Sequence, residues 1–463
     1  MLFRRRLVVA TGSALGGTTM SSIPTWDTII LGGTVLTLEP GSRPIPNGAV
    51  AISGGIISAV GPAEALLEQA PTGEILEASG CIIMPGLVNT HSHLPMTLLR
   101  GLADDLPLKE WLEEHIWPAE REHMNAETIR VGTQLAAAEQ LLAGVTTTTD
   151  MYFFDDVIGE TLAEIGMRAV VAESLIDFAT PRCATPDEMI EKQRELIEKF
   201  RDHPLIVPAV APHSPYTVSA ANLAREAELA DELEVPLHIH LSETRWEVEK
   251  LLEEKGASPV AYLADLGVLS ERTVAAHCVH VSPEDIEILA ELEVAVSHNP
   301  ASNLKLASGI APVAAMLNAG VKLGLGTDGP ASNNTLDLLR DTQLAALLHK
   351  GAGGDPTVLP AEQAISLATI GGARVLGLDD RIGTLSEGKE ADVVCIDVRA
   401  PHATPMFDPF SHLTYAARSA DVRHVMVRGR VLVRNRALET IDYEAIQAKV
   451  QEITARISSG DAG

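Results

Sequence analysis

The sequence predicts an α/β protein in which a (β/α)8 TIM barrel carries a small β-sandwich domain built from N- and C-terminal segments. Strand-like apolar runs alternate with helical patterns over about 300 residues, and eight such runs can be counted. Segments rich in β signals flank this middle section on both sides. Apolar residues make up 46% of the 463-residue chain, enough for one large core and one small one.

The flanking segments have the character of short strands joined by tight turns. Two N-terminal segments each contain a Gly-Gly pair, where we expect a turn between two strands, and the segment CIIMPG follows them. These segments and their C-terminal counterparts span 26–39, 48–61, 388–397 and 421–433. We therefore expect a composite β-sandwich from 24–84 and 385–445, a barrel from 85–384, and a C-terminal helix or tail from 446–463.

The middle section is the expected barrel. Its strand-like runs lie near 83–90, 144–150, 168–176, 205–211, 235–241, 273–279, 293–298 and 321–328. A doubly wound open sheet is the structural alternative. No GxGxxG motif follows an early strand, so the dinucleotide-binding form of that alternative has no support.

Residues 1–23 are expected to lie outside the fold. They contain three arginines followed by LVVATGSALGG, which is similar to a twin-arginine export signal. Glycines and a serine interrupt the apolar part, no Ala-x-Ala cleavage site follows, and Met20 is an alternative start. We interpret 1–23 as a disordered, targeting or mis-started leader, and expect a cytoplasmic protein with export as the alternative.

Charge and cysteine content exclude several classes of partner and site. The chain has 35 Lys and Arg against 63 Asp and Glu, a formal charge of -28, which argues against nucleic acid or an anionic membrane as a partner. No segment approaches the ~20 apolar residues that span a bilayer. The four cysteines form no CxxC pair, which excludes a Cys-rich zinc site. A homo-oligomer is compatible with the sequence.

Polar residues stand where the predicted barrel strands end, which is where TIM barrels carry their chemistry. They are His91 and His93 after the first run, His213 after the fourth, His240 and Glu243 after the fifth, His277 in the sixth, His298 after the seventh and Asp328 after the eighth. The His-x-His step would point two rings to one face of a strand. Alone, His240 or His277 would be typical of a hydrogen-bonded structural histidine and Asp328 of a turn. Taken together, however, these residues would converge at one barrel mouth. A set of imidazoles with one carboxylate favours zinc or iron over magnesium or calcium as the bound metal.

Several longer motifs carry a family resemblance that covers nearly the whole chain after residue 25. They are HSHLPMTLLRGLADDLPLKEWL, APHSPYT, HIHLSET, AAHCVH, SHNPASNLKLASGIAPV and GTDGPASNN. With these motifs the sequence resembles the amidohydrolase superfamily, and within it the 5'-methylthioadenosine/S-adenosylhomocysteine deaminase branch. The resemblance implies a metal-dependent barrel with a β-sandwich formed by both chain ends.

The resemblance also implies a ligand set. It makes His91, His93, His240 and Asp328 the ligands of one divalent metal, most consistent with Zn2+ and compatible with Fe2+, with water at the open position. Other members hold two metals through a carboxylated lysine on the fourth strand. The fourth run here, LIVPAVAPHSP, contains no lysine, which favours the form with one metal.

Three residues receive catalytic roles under this resemblance. His277 would orient the attacking water, and Asp328 would take its proton and return one to the leaving ammonia. Attack on the amine-bearing carbon of adenine is easier when the neighbouring ring nitrogen is protonated, so Glu243 is the expected general acid. Helix capping is the ordinary interpretation of Glu243 alone, but beside a metal histidine in HLSET we favour the acid.

Five further side chains are substrate candidates, as is Glu243 itself. The resemblance places Glu120 on the ribose hydroxyls, His213 on the nucleoside and Trp111 on the 5' substituent, although Trp111 is equally typical of a core aromatic. Ser332 is a candidate for a contact to the base, with helix capping as its alternative. Arg182 is a candidate for the anionic end of a longer substrate.

The function implied is hydrolysis of an adenine nucleoside to its inosine analogue and ammonia. The nucleoside would be 5'-methylthioadenosine, S-adenosylhomocysteine or adenosine. Guanine-type deamination or s-triazine dechlorination on the same site are the nearest alternatives. A catalytically inactive binding protein would be expected to lack one of His277, Glu243 and Asp328, yet all three are present.

The region after the third barrel run departs from what S-adenosylhomocysteine calls for. A homocysteine carboxylate is best held by arginines, yet Glu173 and Asp177 stand in this region with Arg182 as the one plausible donor. The sequence therefore predicts that 5'-methylthioadenosine is preferred to S-adenosylhomocysteine.

Overall fold

The structure, a computed structural model, describes residues 26–69 and 73–459. The predicted leader at 1–23 lies outside these residues, as does the end of the predicted tail, 460–463. In the part described, 17 strands form two sheets. In chain order they are β1 Thr28–Val35, β2 Ile45–Ser53, β3 Ile56–Pro62, β4 Glu74–Glu77, β5 Cys81–Pro85, β6 Leu87–Val88, β7 Val145–Tyr152, β8 Arg168–Leu175, β9 Ile206–Pro212, β10 Leu237–Leu241, β11 Thr273–His277, β12 Ala295–His298, β13 Lys322–Leu325, β14 Val393–Asp397, β15 Val422–Val427, β16 Arg430–Arg434 and β17 Ala437–Leu438.

Helices occupy most of the intervals between the barrel strands. They are α1 Ala63–Leu67, α2 Leu108–Glu110, α3 Trp117–His123, α4 Ala126–Leu142, α5 Asp155–Ile165, α6 Pro186–Phe200, α7 Ala220–Leu233, α8 Arg245–Lys255, α9 Pro259–Asp265, α10 Pro283–Glu291, α11 Pro300–Lys305, α12 Val313–Asn318, α13 Leu338–Gly353, α14 Ala361–Ser366, α15 Gly372–Val375, α16 Pro409–Tyr415 and α17 Tyr443–Ser459. A π-helical turn, Trp111–Ile116, joins α2 to α3. Within residues 26–69 and 73–459, none of these helices combines the length and apolarity needed to cross a bilayer.

The first sheet is mixed and draws its nine strands from both ends of the chain. Its order is β17-β16-β15-β14-β5-β1-β2-β3, with β4 beside β1. The two ends meet where β5 and β14 pair antiparallel, with Ile83 opposite Cys395. A dedicated apolar cluster fills this domain and includes Ile30, Val50 and Val393. The prediction of a separate β domain assembled from N- and C-terminal segments is confirmed.

One predicted turn in this domain is wrong. The Gly32-Gly33 pair does not separate two strands; β1 runs straight through it and shows register shifts on both sides of Gly33. A Cβ at Gly33 would lie 2.7 Å from the carbonyl oxygen of Cys81, so the glycine allows a neighbouring strand to approach closely. The second pair, Gly54-Gly55, does form the predicted turn, between β2 and β3.

The second sheet is the parallel eight-stranded barrel, β6 to β13 in chain order. Its first and last strands are joined by a hydrogen bond from the Thr90 N–H to the Leu325 carbonyl (3.0 Å). The first predicted run, 83–90, is split between β5 in the mixed sheet and β6 in the barrel. The chain changes sheets at Gly86, where a Cβ would lie 2.1 Å from Thr146 Oγ1. The predicted (β/α)8 architecture is confirmed.

A buried arginine connects the start of a barrel strand to the mixed sheet. Arg168, at the start of β8, donates from Nε and Nη2 to both carboxylate oxygens of Asp392 (3.1 and 3.0 Å), and from Nη2 to Glu390 Oε2 (2.6 Å). Its side chain is 1% exposed and that of Asp392 is 2% exposed. Both charged groups are buried and have lost their hydration. Each therefore needs the opposite charge of the other to offset the free-energy cost of that loss.

We expect Arg168→Met to destabilise the protein by about 3–5 kcal/mol, since it leaves the buried carboxylate of Asp392 without its partner. Urea unfolding followed by circular dichroism measures this loss. Arg194→Met is the matched control, because Arg194 pairs with Glu232 on the exposed surface and its loss should change little. A loss in Arg168→Met no larger than the control's would contradict the structural role of this ion pair.

Candidate active site

An inner cavity opens at the ends of the barrel strands and gathers most of the predicted site residues. Every residue predicted as a ligand, catalyst or substrate contact lines it, except His91 and Arg182. The predicted residues in its wall are His93, Trp111, Glu120, His213, His240, Glu243, His277, Asp328 and Ser332. His91 is fully buried behind this wall, with its ring 4.9 Å from that of His93.

Three imidazoles and one carboxylate meet at a single point. The Nε2 atoms of His91 and His93 lie 3.4 and 3.3 Å from Asp328 Oδ1, and the Nε2 atoms of His93 and His240 are 3.4 Å apart. The chain arrives here from three strands, because His91 follows β6, His240 lies in β10 and Asp328 follows β13. The strand before the His-x-His step ends at Val88, so both histidines stand in the loop after the first run and the same-face rule for strands does not apply to them.

The rings of His93 and His240 are fixed by acceptors that cannot donate. His93 Nδ1 is 2.6 Å from the Met151 carbonyl, and His240 Nδ1 is 2.8 Å from the His213 carbonyl. Each ring must therefore carry a proton on Nδ1, which directs Nε2 toward the meeting point. Burial, reinforced by neighbouring imidazoles, holds the pKa of His240 well below its usual range. This ring is thus a neutral base with a free lone pair, as a metal ligand must be.

Asp328 is the anionic member of the group. Its backbone N–H donates to the His91 carbonyl (3.0 Å). Its Oδ2 lies 2.5 and 3.1 Å from the hydroxyls of Ser302 and Ser332. Burial opposes ionisation, but the imidazoles of His91 and His93 outweigh it and hold the pKa of this carboxyl well below its usual range. Asp328 is therefore a carboxylate facing two imidazole nitrogens.

The donor set fits a divalent transition metal. His91 Nε2 is buried and has no hydrogen-bond partner, although a polar atom in that position would ordinarily be satisfied. The ligand atoms of His91, His93 and His240 all lie within 4.8 Å of one another, as do those of His91, His277 and Asp328. Nitrogen ligands with one carboxylate suit zinc or iron. His91, His93, His240 and Asp328 are the side chains that could hold such an ion.

Glu243 is free of the capping role that its position suggested. Thr244 accepts from the Glu247 N–H as the N-cap of α8, and Glu247 in turn accepts from the Ser242 and Glu243 N–H groups (both 2.8 Å). The Glu243 carboxyl lies 3.3 Å from the Ser308 hydroxyl and 3.8 Å from His277 Nε2. Burial raises its pKa, which favours the protonated form that a general acid requires.

His277 closes the opposite side of the group. It is the last residue of β11 and adopts a left-handed conformation, with φ of 77°. Its Nδ1 is 2.8 Å from Asn303 Oδ1, and its Nε2 is 4.0 Å from Asp328 Oδ2. Since an amide oxygen only accepts, Nδ1 of His277 carries a proton and Nε2 faces the cavity between the two carboxyl groups.

Four of the predicted substrate side chains, those of Trp111, Glu120, His213 and Ser332, line this cavity. Glu120, on α3, accepts from the Tyr152 hydroxyl (2.6 Å), and burial raises the pKa of Glu120 to about 7. His213 directly follows β9, and its Nδ1 lies 3.0 Å from the Thr217 hydroxyl. Trp111 is 5% exposed and packs in the main apolar core while also lining the cavity. Trp111 therefore belongs to the core and also borders the cavity, and its contact with the 5' substituent stays a prediction.

The side chains of Ser332 and Arg182 both make hydrogen bonds to carboxylates of the protein. Ser332 is not the N-cap of α13, which is Asp337, and its hydroxyl belongs to the Asp328 network. Arg182 Nη1 donates to Asp156 (2.7 Å) and Glu173 (2.8 Å). Asp177 accepts from the Ser219 N–H at the start of α7. Among the described residues, Arg121 is the one Lys or Arg whose side chain lines the cavity.

Four neighbouring residues were not anticipated from the sequence. Ser302 and Asn303 come from the SHNPASN motif and hold Asp328 and His277, while Tyr152 holds Glu120. His238 lies 2.9 Å from His91, measured from His238 Nε2 to His91 Nδ1. The step from His238 to His240 is a second His-x-His pattern in a strand, and the same-face rule applied to it would have placed both rings in the barrel.

Comparisons with known proteins agree with this geometry. The amidohydrolase family model matches residues 82–432, and a bacterial imidazolonepropionase-like composite domain model matches 48–72. A 5-methylthioadenosine/S-adenosylhomocysteine deaminase of Syntrophobacter fumaroxidans (strain DSM 10017 / MPOB) is 48% identical over 431 residues, covering 93% of this chain and 98% of that protein.

Solved structures extend the likeness to three dimensions. An adenosine deaminase from Xanthomonas campestris with bound zinc has a TM-score of 0.92 at 42% identity, covering 94% of this chain and 99% of that one. An atrazine chlorohydrolase from Arthrobacter aurescens TC1 complexed with zinc has a TM-score of 0.86 at 28% identity, covering 92% of this chain and 100% of that one. The matched sequence and the barrel show that the chain belongs to the amidohydrolase family.

Proposed function

We propose that this protein is a metal-dependent deaminase that hydrolyses an adenine nucleoside to its inosine analogue and ammonia. The substrates are 5'-methylthioadenosine and, to different degrees, S-adenosylhomocysteine and adenosine. The observation that carries the proposal is that the candidate ligands His91, His93, His240 and Asp328 come together beside Glu243 and His277, at a cavity that Glu120 and His213 also line. Relatives 40–48% identical over most of the chain bear the matching name.

The residues of the chain divide the reaction between them. A divalent metal held by His91, His93, His240 and Asp328 supplies a Lewis acid that lowers the pKa of water. Glu243 donates a proton to the ring nitrogen beside the carbon that bears the amine, which makes that carbon a better electrophile. Asp328 accepts one proton of the attacking water and returns it to the leaving amine, while His277 hydrogen-bonds the water and directs it. As the C–N bond breaks and the carbonyl forms, the remaining hydroxyl proton passes to Glu243 and restores the acid.

The remaining groups bind the nucleoside. Glu120 accepts from the ribose hydroxyls with the oxygen that Tyr152 does not use. Trp111 packs on the 5' substituent, and His213 contacts the nucleoside from the end of β9. An ammonia-release assay on adenosine, 5'-methylthioadenosine, S-adenosylhomocysteine, guanine and a chlorotriazine tests this assignment. Turnover of guanine or the triazine alone would replace it with one of the rival activities.

Metal dependence gives a quantitative expectation. With one ligand set and no lysine on β9, we expect about one zinc or iron per chain by elemental analysis of the purified protein. Removal of the metal by a chelator should abolish ammonia release, and one equivalent of zinc should restore it. Two equivalents per chain in the fully active enzyme would contradict a site for a single metal.

We expect Glu243→Gln to lower kcat by at least ~100-fold with the metal retained, because an amide keeps the shape of the side chain but cannot act as an acid. Steady-state ammonia release and metal content are measured on the same preparations. Glu249→Gln, on the exposed face of α8, is the matched control and should behave as wild type. Near-normal turnover in Glu243→Gln would mean that the proton reaches the ring from another group.

We expect kcat/KM for 5'-methylthioadenosine to exceed that for S-adenosylhomocysteine by about tenfold or more. The guanidinium of Arg182 is already paired with Asp156 and Glu173, and losing one charge-assisted contact to a carboxylate costs roughly 1.5–3 kcal/mol. Both substrates are assayed under identical conditions. Equal or higher efficiency with S-adenosylhomocysteine would assign its carboxylate to another cation, with Arg121 in the inner cavity as the first to be tested.

A further inference from the structure

One of the three ligand histidines is oriented differently from the other two. His93 and His240 each direct Nδ1 at a backbone carbonyl, which can only accept a hydrogen bond. His91 directs Nδ1 at another imidazole, with His238 Nε2 at 2.9 Å. The rings of His91 and His238 are close to parallel, with centroids 5.0 Å apart and an interplanar angle of 23°, a separation that fits a hydrogen bond from ring edge to ring edge. Both residues are at most 1% exposed, so water cannot replace either partner.

This contact leaves two arrangements for one shared proton. If His91 Nδ1 donates to His238 Nε2, then His91 Nε2 keeps a free lone pair and points at the ligand cluster. If His238 Nε2 donates instead, the neutral His91 ring carries its proton on Nε2, where no metal can then bind. His91 Nε2 makes no hydrogen bond and lies 3.4 Å from Asp328 Oδ1, among the other candidate ligand atoms, and only the first arrangement leaves its lone pair free for a metal there.

We propose that His238 is a positioning residue that holds His91 in the tautomer able to bind metal, by accepting the His91 Nδ1 proton at Nε2. Strand β10 then contributes to the centre twice, because His238 and His240 are two residues apart and face the same side. His240 binds directly, and His238 acts through His91. The inference rests on the proposed metal site, and it assigns a role to a residue that touches neither metal nor substrate.

Two substitutions in the full-length protein separate this role from packing. His238→Gln keeps an acceptor oxygen at about the reach of Nε2, whereas His238→Met has a similar length but only a weakly accepting sulfur. Zinc dissociation constants are measured by competition with a chelator, and thermal unfolding of the metal-free proteins checks folding. We expect His238→Met to bind zinc 10–100-fold more weakly than wild type, and His238→Gln to lie within a few-fold of wild type.

The outcomes are distinguishable. Equal zinc affinity in wild type and His238→Met would overturn the proposal, and an equal loss in both variants would reduce His238 to a packing role. A wild-type protein that binds no zinc or iron would instead defeat the proposed function.

A measurement on the unaltered protein covers the case in which the variants do not fold. In the cobalt-substituted wild type, proton NMR should show three shifted ring N–H signals, one per ligand histidine, that disappear in D2O. Two such signals would mean that His91 carries no Nδ1 proton, and would overturn the proposal.

Discussion

Closure of the barrel between its first and last strands is the constraint on which the candidate site depends. His91 and Asp328, the candidate ligands closest to the chain's start and end, become neighbours because the Asp328 N–H donates to the His91 carbonyl (3.0 Å). A second hydrogen bond, from the Thr90 N–H to the Leu325 carbonyl, joins the same two segments one residue earlier in the first of them. Gly326 permits the approach, since a Cβ there would lie 2.9 Å from His91 Cβ and 2.4 Å from Asn299 Oδ1. Backbone hydrogen bonds therefore bring the carboxylate to the imidazoles before any metal is considered.

Burial then sorts the carboxyl groups around this point into two kinds. Asp328 faces two imidazoles and two hydroxyls, so the pKa of its carboxyl is held low despite burial. Glu120, Glu243 and Glu247 lack a buried cation in direct contact, and burial raises the pKa of each, for Glu247 to about 8. Two carboxyl groups that line the same cavity thus have pKa values shifted in opposite directions, downward for Asp328 and upward for Glu243, which is the arrangement that suits a base and an acid.

The sequence predicted the barrel well because each of its signals is local. Seven of the eight runs begin and end within a few residues of the observed strands. In a parallel barrel the C-terminal ends of all strands lie at the same mouth, whatever the conformation of the loops. Where prediction failed, a non-local contact was decisive. Gly33 carries the same sequence signal as Gly54, yet it serves close strand approach and not a turn. The split of the first run at Gly86 likewise depends on Thr146, 60 positions away in the chain.

Side-chain partners were harder to anticipate than ligands. An imidazole or a carboxylate at a strand end predicts a ligand or an acid by its own chemistry, whereas the contacts of His238, Asn303 and Tyr152 with the site residues become visible only in the fold. Glu243 illustrates the difference. Its place just before α8 is equally typical of a cap, and the sequence alone could not decide between a cap and an acid. In the structure, Thr244 is the N-cap of α8, and the Glu247 carboxylate accepts from the N–H groups of Ser242 and Glu243. Because Thr244 and Glu247 make these bonds, the Glu243 carboxyl is left to face Ser308 and His277 at the cavity.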